Sequence, residues 1–130
     1  MTTARATVNL SQIGQIAMVV HDVGKATEFY RDVLGMKFLF AAPNLAFFDC
    51  GGVRLMLSLP DKPEFDHPGS ILYYKVGEIQ GAYEALSARG VSFVDKPHLV
   101  ARMTDHDLWL ASFHDLDSNL LALMCEVRHS

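Results

Sequence analysis

Hydrophobic residues in the first half of the chain form short segments whose spacing alternates between strand-like and helix-like. Ile13–Val20 is an apolar run of strand length. Asp22 is a residue type that caps helices, and apolar residues then recur at helical spacing until Gly35. Three extended segments follow, with a Gly51-Gly52 turn between the last two: Met36–Ala41, Leu45–Cys50 and Val53–Leu59. The pattern predicts the order strand, helix, strand, strand, strand.

The second half of the chain shows a similar order of elements. Ile71–Val76 predicts a strand, and Glu78–Arg89 predicts a helix that ends at Gly90. The remaining extended segments are Val91–Val94, Pro97–Met103, Leu108–Phe113 and Leu120–Val127. Polar turns are expected at Thr104–Asp107 and Asp115–Asn119.

The two halves also share residues at matching positions, which indicates an internal duplication. Gln15–Phe38 aligns with Ile71–Phe93, and Asp49–Leu57 aligns with Asp115–Leu123. We therefore predict one α+β domain over residues 1–130, built from two tandem βαβββ modules with eight strands. Module one covers residues 12–59, a proline-containing linker covers 60–70, and module two covers 71–127.

Composition narrows the classes of partner. The chain has 130 residues, of which 50% are hydrophobic, and a net charge of -4. Its basic residues are scattered, so a nucleic-acid surface is not expected. No apolar stretch reaches the roughly 18 residues that a membrane helix needs.

The two cysteines bear on the location of the protein. Cys50 and Cys125 lie in apolar, strand-like sequence, which predicts buried, reduced thiols and a cytoplasmic location.

Two motifs give the chain a family resemblance. The stretch VVHDVGKATEFYRDVLGMKF contains an FYRDVLG element at Phe29–Gly35. It resembles the opening of the vicinal-oxygen-chelate superfamily, which includes glyoxalase I, extradiol dioxygenases, and fosfomycin- and bleomycin-resistance proteins. Asp115–Asn119 loosely matches the closing D-P-D-G-N turn of that superfamily. The resemblance covers residues 12–127 and implies that the paired modules enclose a curved, eight-stranded cup. It also implies a homodimer.

The resemblance implies four positions for a divalent metal in the cup, two from each module. These positions fall on Gln15, Met56, Ile71 and Ala122. Only Gln15 offers a suitable oxygen, because a thioether is a soft ligand and Ile and Ala have no donor atom. We therefore expect no metal and no cofactor, and the catalytic residues stay unknown. Glu126 lies on the same strand face as Ala122 but about 13 Å along it, too far to coordinate at the same point. A metal held by a group that contains His98 and His106 remains open.

Strand alternation predicts which side chains line the cup. It places Gln15, Arg54, Met56, Tyr73, Lys75 and Ala122 on the inner face, an apolar surface with a few polar groups. Arg54 either grips a carboxylate or phosphate, or extends to the rim, and Lys75 fits the rim better. Trp109 is a candidate pocket wall. Most of the strand aromatics are expected in the core, in a set that comprises Phe38, Phe40, Phe47, Phe48 and Trp109.

These features predict a glyoxalase/bleomycin-resistance-type protein. It would bind a small apolar or anionic molecule in the cup without the usual divalent metal. The alternative is an enzyme, namely a metal-dependent lyase or isomerase that resembles glyoxalase I (lactoylglutathione lyase), or a related dioxygenase. A third interpretation is a subunit whose cup is filled and whose outer surface binds another protein. Catalysis is left open by the sequence.

Overall fold

The structure, a computed structural model, describes residues 8–129. Its strands in chain order are β1 (Gln15–Val19), β2 (Lys37–Ala42), β3 (Leu45–Cys50), β4 (Val53–Ser58), β5 (Leu72–Lys75), β6 (His98–Arg102), β7 (His106–His114) and β8 (Leu120–Arg128). Helix α1 (Val23–Glu28) continues into a wider π-type turn at Phe29–Val33, and α2 covers Ile79–Ala88. A short 3-10 turn, Pro63–Phe65, lies in the linker.

The strands form two separate four-stranded sheets with the same topology. One sheet has the order β1-β4-β3-β2 and the other β5-β8-β7-β6. In each sheet the first strand pairs in parallel with the last, and the remaining pairs are antiparallel. The predicted α+β fold of two βαβββ modules with eight strands is confirmed.

The two helices begin and end in equivalent ways, as the duplication predicts. The Asp22 carboxylate caps α1 by accepting the Lys25 backbone N–H at 3.0 Å, and the Glu78 carboxylate caps α2 through the Gly81 N–H. Gly35 and Gly90 follow the helices with φ of +75° and +91°. Glycine adopts this left-handed conformation without the cost that a side chain imposes.

The core lies between the helices and one face of each sheet. Both modules contribute to a single cluster, whose largest fully buried side chains are Tyr30, Phe48, Phe113, Leu57, Leu121 and Val20. Polar contacts also join the modules: Tyr30 donates its hydroxyl to Asp115 at 2.7 Å, and Asn119 Nδ2 donates to the Val19 carbonyl at 2.9 Å. The two matched motifs, FYRDVLG and the closing turn, therefore meet in space.

Three local predictions were wrong. Val91–Val94 is not a strand, since only Phe93 bridges to Phe113. Asp95 then accepts the Ser112 N–H at 2.7 Å, and Pro97 interrupts any further pairing. His106 and Asp107, expected in a turn, belong to β7. Cys50 is exposed rather than buried because it is the last residue of β3 before the Gly51-Gly52 turn, whereas Cys125 is buried.

No helix among residues 8–129 has the length and apolar character needed to cross a membrane.

Candidate functional site

Each sheet turns one face to the helices and leaves the other uncovered by them. Register places Gln15, Ala17 and Val19 of β1 beside Arg54, Met56 and Ser58 of β4 on the uncovered face of module one. We call this the first open face. The second open face belongs to module two, where Tyr73 and Lys75 of β5 lie beside Ala122 and Met124 of β8. The alternation predicted for these four strands agrees with this register, because none of the four contains a bulge.

Three of the predicted site residues contact one another on the first open face. Arg54 Nε donates to Gln15 Oε1 at 2.9 Å, and Gln15 Nε2 lies 3.7 Å from Met56 Sδ. The Arg54 guanidinium carbon lies 5.3 Å from the centre of the Phe47 ring, within the range of a cation–π contact. Arg54 forms no salt bridge with any carboxylate of residues 8–129. The guanidinium is therefore held in place and has no salt-bridge partner among residues 8–129.

The second open face carries a different polar group. Lys75 Nζ lies 3.2 Å from Glu126 Oε1, so this lysine is paired. Glu126 Oε2 also lies 3.4 Å from Nε2 of His106, whose Nδ1 lies 2.7 Å from Asp105 Oδ1. Ala122, between Tyr73 and Ser112 in register, is buried. His98 is not part of this group, since its Nδ1 lies 2.8 Å from the Lys96 carbonyl.

Two aromatic assignments are corrected by the strand register. Trp109 alternates with the open-face residues of β7 and packs against the core, so it is not a wall of either open face. Phe40 and Phe47, expected in the core, lie instead on the first open face, in register with Met56. Phe38 and Phe48 are in or against the core as predicted.

The donor set on the open faces does not fit a divalent metal. Of the four positions that the family resemblance singled out, only Gln15 carries a hard donor, and its oxygen already accepts from the cationic Arg54. A divalent ion at that oxygen would be repelled by the guanidinium. No group of three or more His, Cys, Asp or Glu side chains within residues 8–129 is arranged to hold a metal ion.

The two open faces belong to different sheets, and no salt bridge or side-chain-to-side-chain hydrogen bond between residues 8–129 joins them. The predicted site residues therefore fall into two separate groups. One group contains Tyr73, Lys75 and Ala122, and the other contains Gln15, Arg54 and Met56.

A cavity of about 240 Å³ lies away from both open faces, between the end of α1 and the inner side of α2 and β5. It is lined mainly by Leu34, Met36, Val76 and Leu86.

A polar contact outside the open faces ties the linker to the closing turn. The two ring nitrogens of His21 each lie 2.9 Å from a carboxylate, one from Asp66 in the linker and one from Asp117 in the turn. The hydrogen bonds to Asp66 and then Asp117 raise the pKa of His21 above its usual 6.5. His21 is exposed and lies just before the start of α1.

Comparisons with known proteins agree with this architecture. The Bacillus subtilis protein YraH is 28% identical over 126 residues, which cover 84% of this chain and 94% of that protein. The metallothiol transferase FosB of Staphylococcus haemolyticus is 39% identical over 46 residues, 35% of this chain and 33% of that protein. A superfamily member from Sphaerobacter thermophilus has a TM-score of 0.75 at 25% identity, covering 90% of this chain and 98% of its own.

At lower identity, lactoylglutathione lyase from Agrobacterium tumefaciens shares the fold, with a TM-score of 0.72 at 19% identity over 90% of this chain and 95% of its own. The family profile of the Glyoxalase/Bleomycin resistance protein/Dioxygenase superfamily matches residues 12–123, nearly the whole described chain. The protein belongs to the glyoxalase/bleomycin resistance protein/dioxygenase superfamily.

Proposed function

We propose that this protein binds a small, partly apolar anion on its first open face and does so without a divalent metal or other cofactor. The observation that carries the proposal is Arg54. Its guanidinium is held by Gln15 and Phe47, and it has no carboxylate partner among residues 8–129. A guanidinium is suited to bind a carboxylate or phosphate through two parallel hydrogen bonds. Met56, Ala17 and Val19 supply apolar surface next to it.

The site is completed, in this proposal, by a second copy of the chain. Each chain presents two open faces on separate sheets, and both carry exposed apolar side chains. Phe40 on the first open face is 49% exposed, and Tyr73 on the second is 50% exposed. A homodimer that sets the second open face of one copy over the first open face of the other would form the cup. It would also bury these side chains, which favours association.

Thermal denaturation with a panel of small carboxylates and phosphonates tests the anion site. A ligand that binds the folded state raises the melting temperature. We expect at least one anion to do so, and we expect Arg54→Gln to abolish the shift. The matched control is Arg102→Gln, an exposed arginine on β6 that register places beside Asp107 rather than on an open face. Loss of the shift in the control, or its persistence in Arg54→Gln, would contradict the proposal.

Metal analysis tests the other half of the proposal. After soaking with Mg²⁺, Mn²⁺, Ni²⁺ or Zn²⁺ and dialysis, we expect less than one equivalent of bound metal and no effect of a chelator on anion binding. One equivalent of tightly held metal that is lost in Gln15→Ala would contradict it.

One observation favours a second candidate, a lyase. The Glu126 carboxylate, flanked by Lys75 and His106, is a base on the second open face. If it acts so, the carboxylate would take the proton from the carbon that bears the sulfur and hydroxyl in the adduct of a thiol and a ketoaldehyde, and return it to the neighbouring carbonyl carbon. The hydroxyl proton would move to the former carbonyl oxygen, so the adduct would become the thioester of a 2-hydroxy acid with no net gain or loss of atoms. Turnover of that adduct, lost in Glu126→Gln, would establish the lyase. No turnover above the uncatalysed rate would exclude this candidate.

A further inference from the structure

A bulge in β2 turns an aromatic ring onto the first open face. Phe38 and Phe40 are two residues apart, so in a regular strand they would share a face. The register shifts between them, and Phe38 pairs with Phe48 whereas Phe40 pairs with Phe47. Phe38 packs edge-on against Phe48 on the core side, with ring centres 5.6 Å apart. Bulges commonly redirect a side chain near a functional site.

The redirected ring stacks face to face with its neighbour. The Phe40 and Phe47 rings have centres 4.6 Å apart and planes inclined by 28°. We call this stacked pair the platform; Phe40 is 49% exposed, so part of the pair faces outward. A protein stabilises itself more by burying such rings than by holding them at the surface. The arrangement therefore fits contact with a bound molecule better than it fits core packing.

The second module has the same bulge but no platform. Its register shifts between Leu99 and Ala101, and Ala101 pairs with Leu108 where module one pairs Phe40 with Phe47. The duplicated backbone feature thus carries aromatic residues in one copy and aliphatic residues in the other. The fold therefore does not require phenylalanine rings at these positions, since the equivalent positions of module two lack them.

The platform lies next to the anchored cation. Phe40 and Phe47 are level with Met56, and Arg54 is the next residue on the same face of β4, with Gln15 beside it. The Arg54 guanidinium carbon lies 5.3 Å from the centre of the Phe47 ring. Asp49 is opposite Arg54 in register but makes no salt bridge with it; its Oδ1 accepts the Gly52 N–H at 3.2 Å. A ring that packs against the outward edges of both phenylalanines would place an acidic group attached directly to it, or one carbon away, near the guanidinium.

We infer that the anion bound at Arg54 is a planar aromatic acid, an aryl or arylmethyl carboxylate whose ring face packs on the edges of Phe40 and Phe47. The inference rests on the proposed function and specifies its ligand class. The charge is recognised by Arg54, which Gln15 orients. Planarity is recognised by the two phenylalanine rings, because edge-to-face contact with both rings at once requires a flat partner.

Three probe molecules test the contributions of the aromatic ring and of the charge separately. 2-Naphthoate has both, cyclohexanecarboxylate has the charge without an aromatic ring, and 2-naphthalenemethanol has the aromatic ring without the charge. We expect calorimetry or NMR titration to give 2-naphthoate roughly threefold to tenfold tighter binding than cyclohexanecarboxylate, the range that contacts between aromatic rings provide. The neutral alcohol should bind more weakly than 2-naphthoate. Phe40→Leu should reduce the preference for the aryl acid, and Phe40→Tyr should restore it. Phe40 is exposed, so neither variant should disturb folding, which circular dichroism checks.

The outcomes distinguish this inference from the proposed function. Equal, Arg54-dependent binding of the aryl and cyclohexyl acids would overturn the aromatic inference and leave the anion proposal standing. Equal binding of the alcohol and 2-naphthoate would overturn the charged ligand class. Absence of any Arg54-dependent acid binding would overturn both. A preference that persists in Phe40→Leu would show that the platform is not its source.

Discussion

At the scale of single residues, the most tightly held polar group is Asp115, which is buried in the closing turn. It accepts hydrogen bonds from the backbone of Asp117 and Asn119 at 2.9 and 2.8 Å, and from the Tyr30 hydroxyl at 2.7 Å. Burial raises the pKa of Tyr30, and the neighbouring Asp115 carboxylate raises it further. Tyr30 therefore stays protonated and donates to the carboxylate, which joins module one to module two.

Tyr30→Phe removes this hydrogen bond and leaves the ring in the core. A hydrogen bond to a charged group contributes about 1.5–3 kcal/mol, so we expect the free energy of unfolding to fall by that amount in urea denaturation. Tyr83→Phe is the matched control and should cost far less, because Tyr83 is a half-buried tyrosine on α2 whose ring packs edge-on against Phe93. An equal fall in the free energy of unfolding in the two variants would show that the hydrogen bond to Asp115 does not stabilise the fold.

His21 gives a prediction on pH. Because hydrogen bonds to Asp66 and Asp117 raise its pKa in the folded state, the tie between linker and closing turn stabilises the fold fully below pH 6.5. That contribution is lost as the pH rises through the raised folded-state pKa. NMR titration of the ring should give a pKa above 6.5, and Asp66→Asn should lower it. A pKa unchanged by Asp66→Asn would rule out the contact between the ring and the linker as its cause.

At the scale of elements, the helix ends follow from sequence because local chemistry sets them. The Asp22 carboxylate satisfies a backbone N–H that would otherwise lack a partner at the start of α1. Asp22→Ala should lower the free energy of unfolding by about 1 kcal/mol, the usual cost of a lost N-cap. Asp32→Ala is the control, since Asp32 pairs with its exposed neighbour Arg31 on the surface. A loss in Asp32→Ala as large as in Asp22→Ala would contradict the capping argument.

The strand faces could be predicted only where the strands are regular. Gln15, Arg54, Met56, Tyr73 and Ala122 lie on the open faces that alternation assigns to them. The bulges in β2 and β6 carry no glycine or proline, so nothing in the residue types marks where alternation breaks. The place of Phe40 was missed for that reason.

Trp109 was misassigned for a different reason. The β7 segment LWLASF is largely apolar on both of its faces, so the pattern does not indicate which face packs on the core. Pairing with β8 decides the matter, because Trp109 shares a face with Cys125, which is buried. Long-range pairing of this kind is a property of the folded chain and not of the local sequence.

At the scale of the whole molecule, duplication has produced two sheets with one backbone plan and different open faces. The first face carries the Phe40–Phe47 platform and the Arg54 cation, which has no salt bridge among residues 8–129. The second carries the paired charges of Lys75 and Glu126. The helices unite the modules on the core side, whereas the open faces of one chain remain on separate sheets. In the proposed homodimer, a site made from both kinds of face depends on how the two copies associate.

The proposed homodimer gives the last prediction. If the second open face of one copy covers the first open face of the other, Tyr73→Glu places a charge in that contact. Light scattering after size-exclusion chromatography should then show a dimer for the unmodified chain and a monomer for Tyr73→Glu. Leu116→Glu is the control, because Leu116 is 60% exposed in the closing turn, outside both open faces. Anion binding should weaken with the dimer, since the cup loses one wall. A monomeric unmodified chain that binds the anion with the same affinity as Tyr73→Glu would show that one open face suffices.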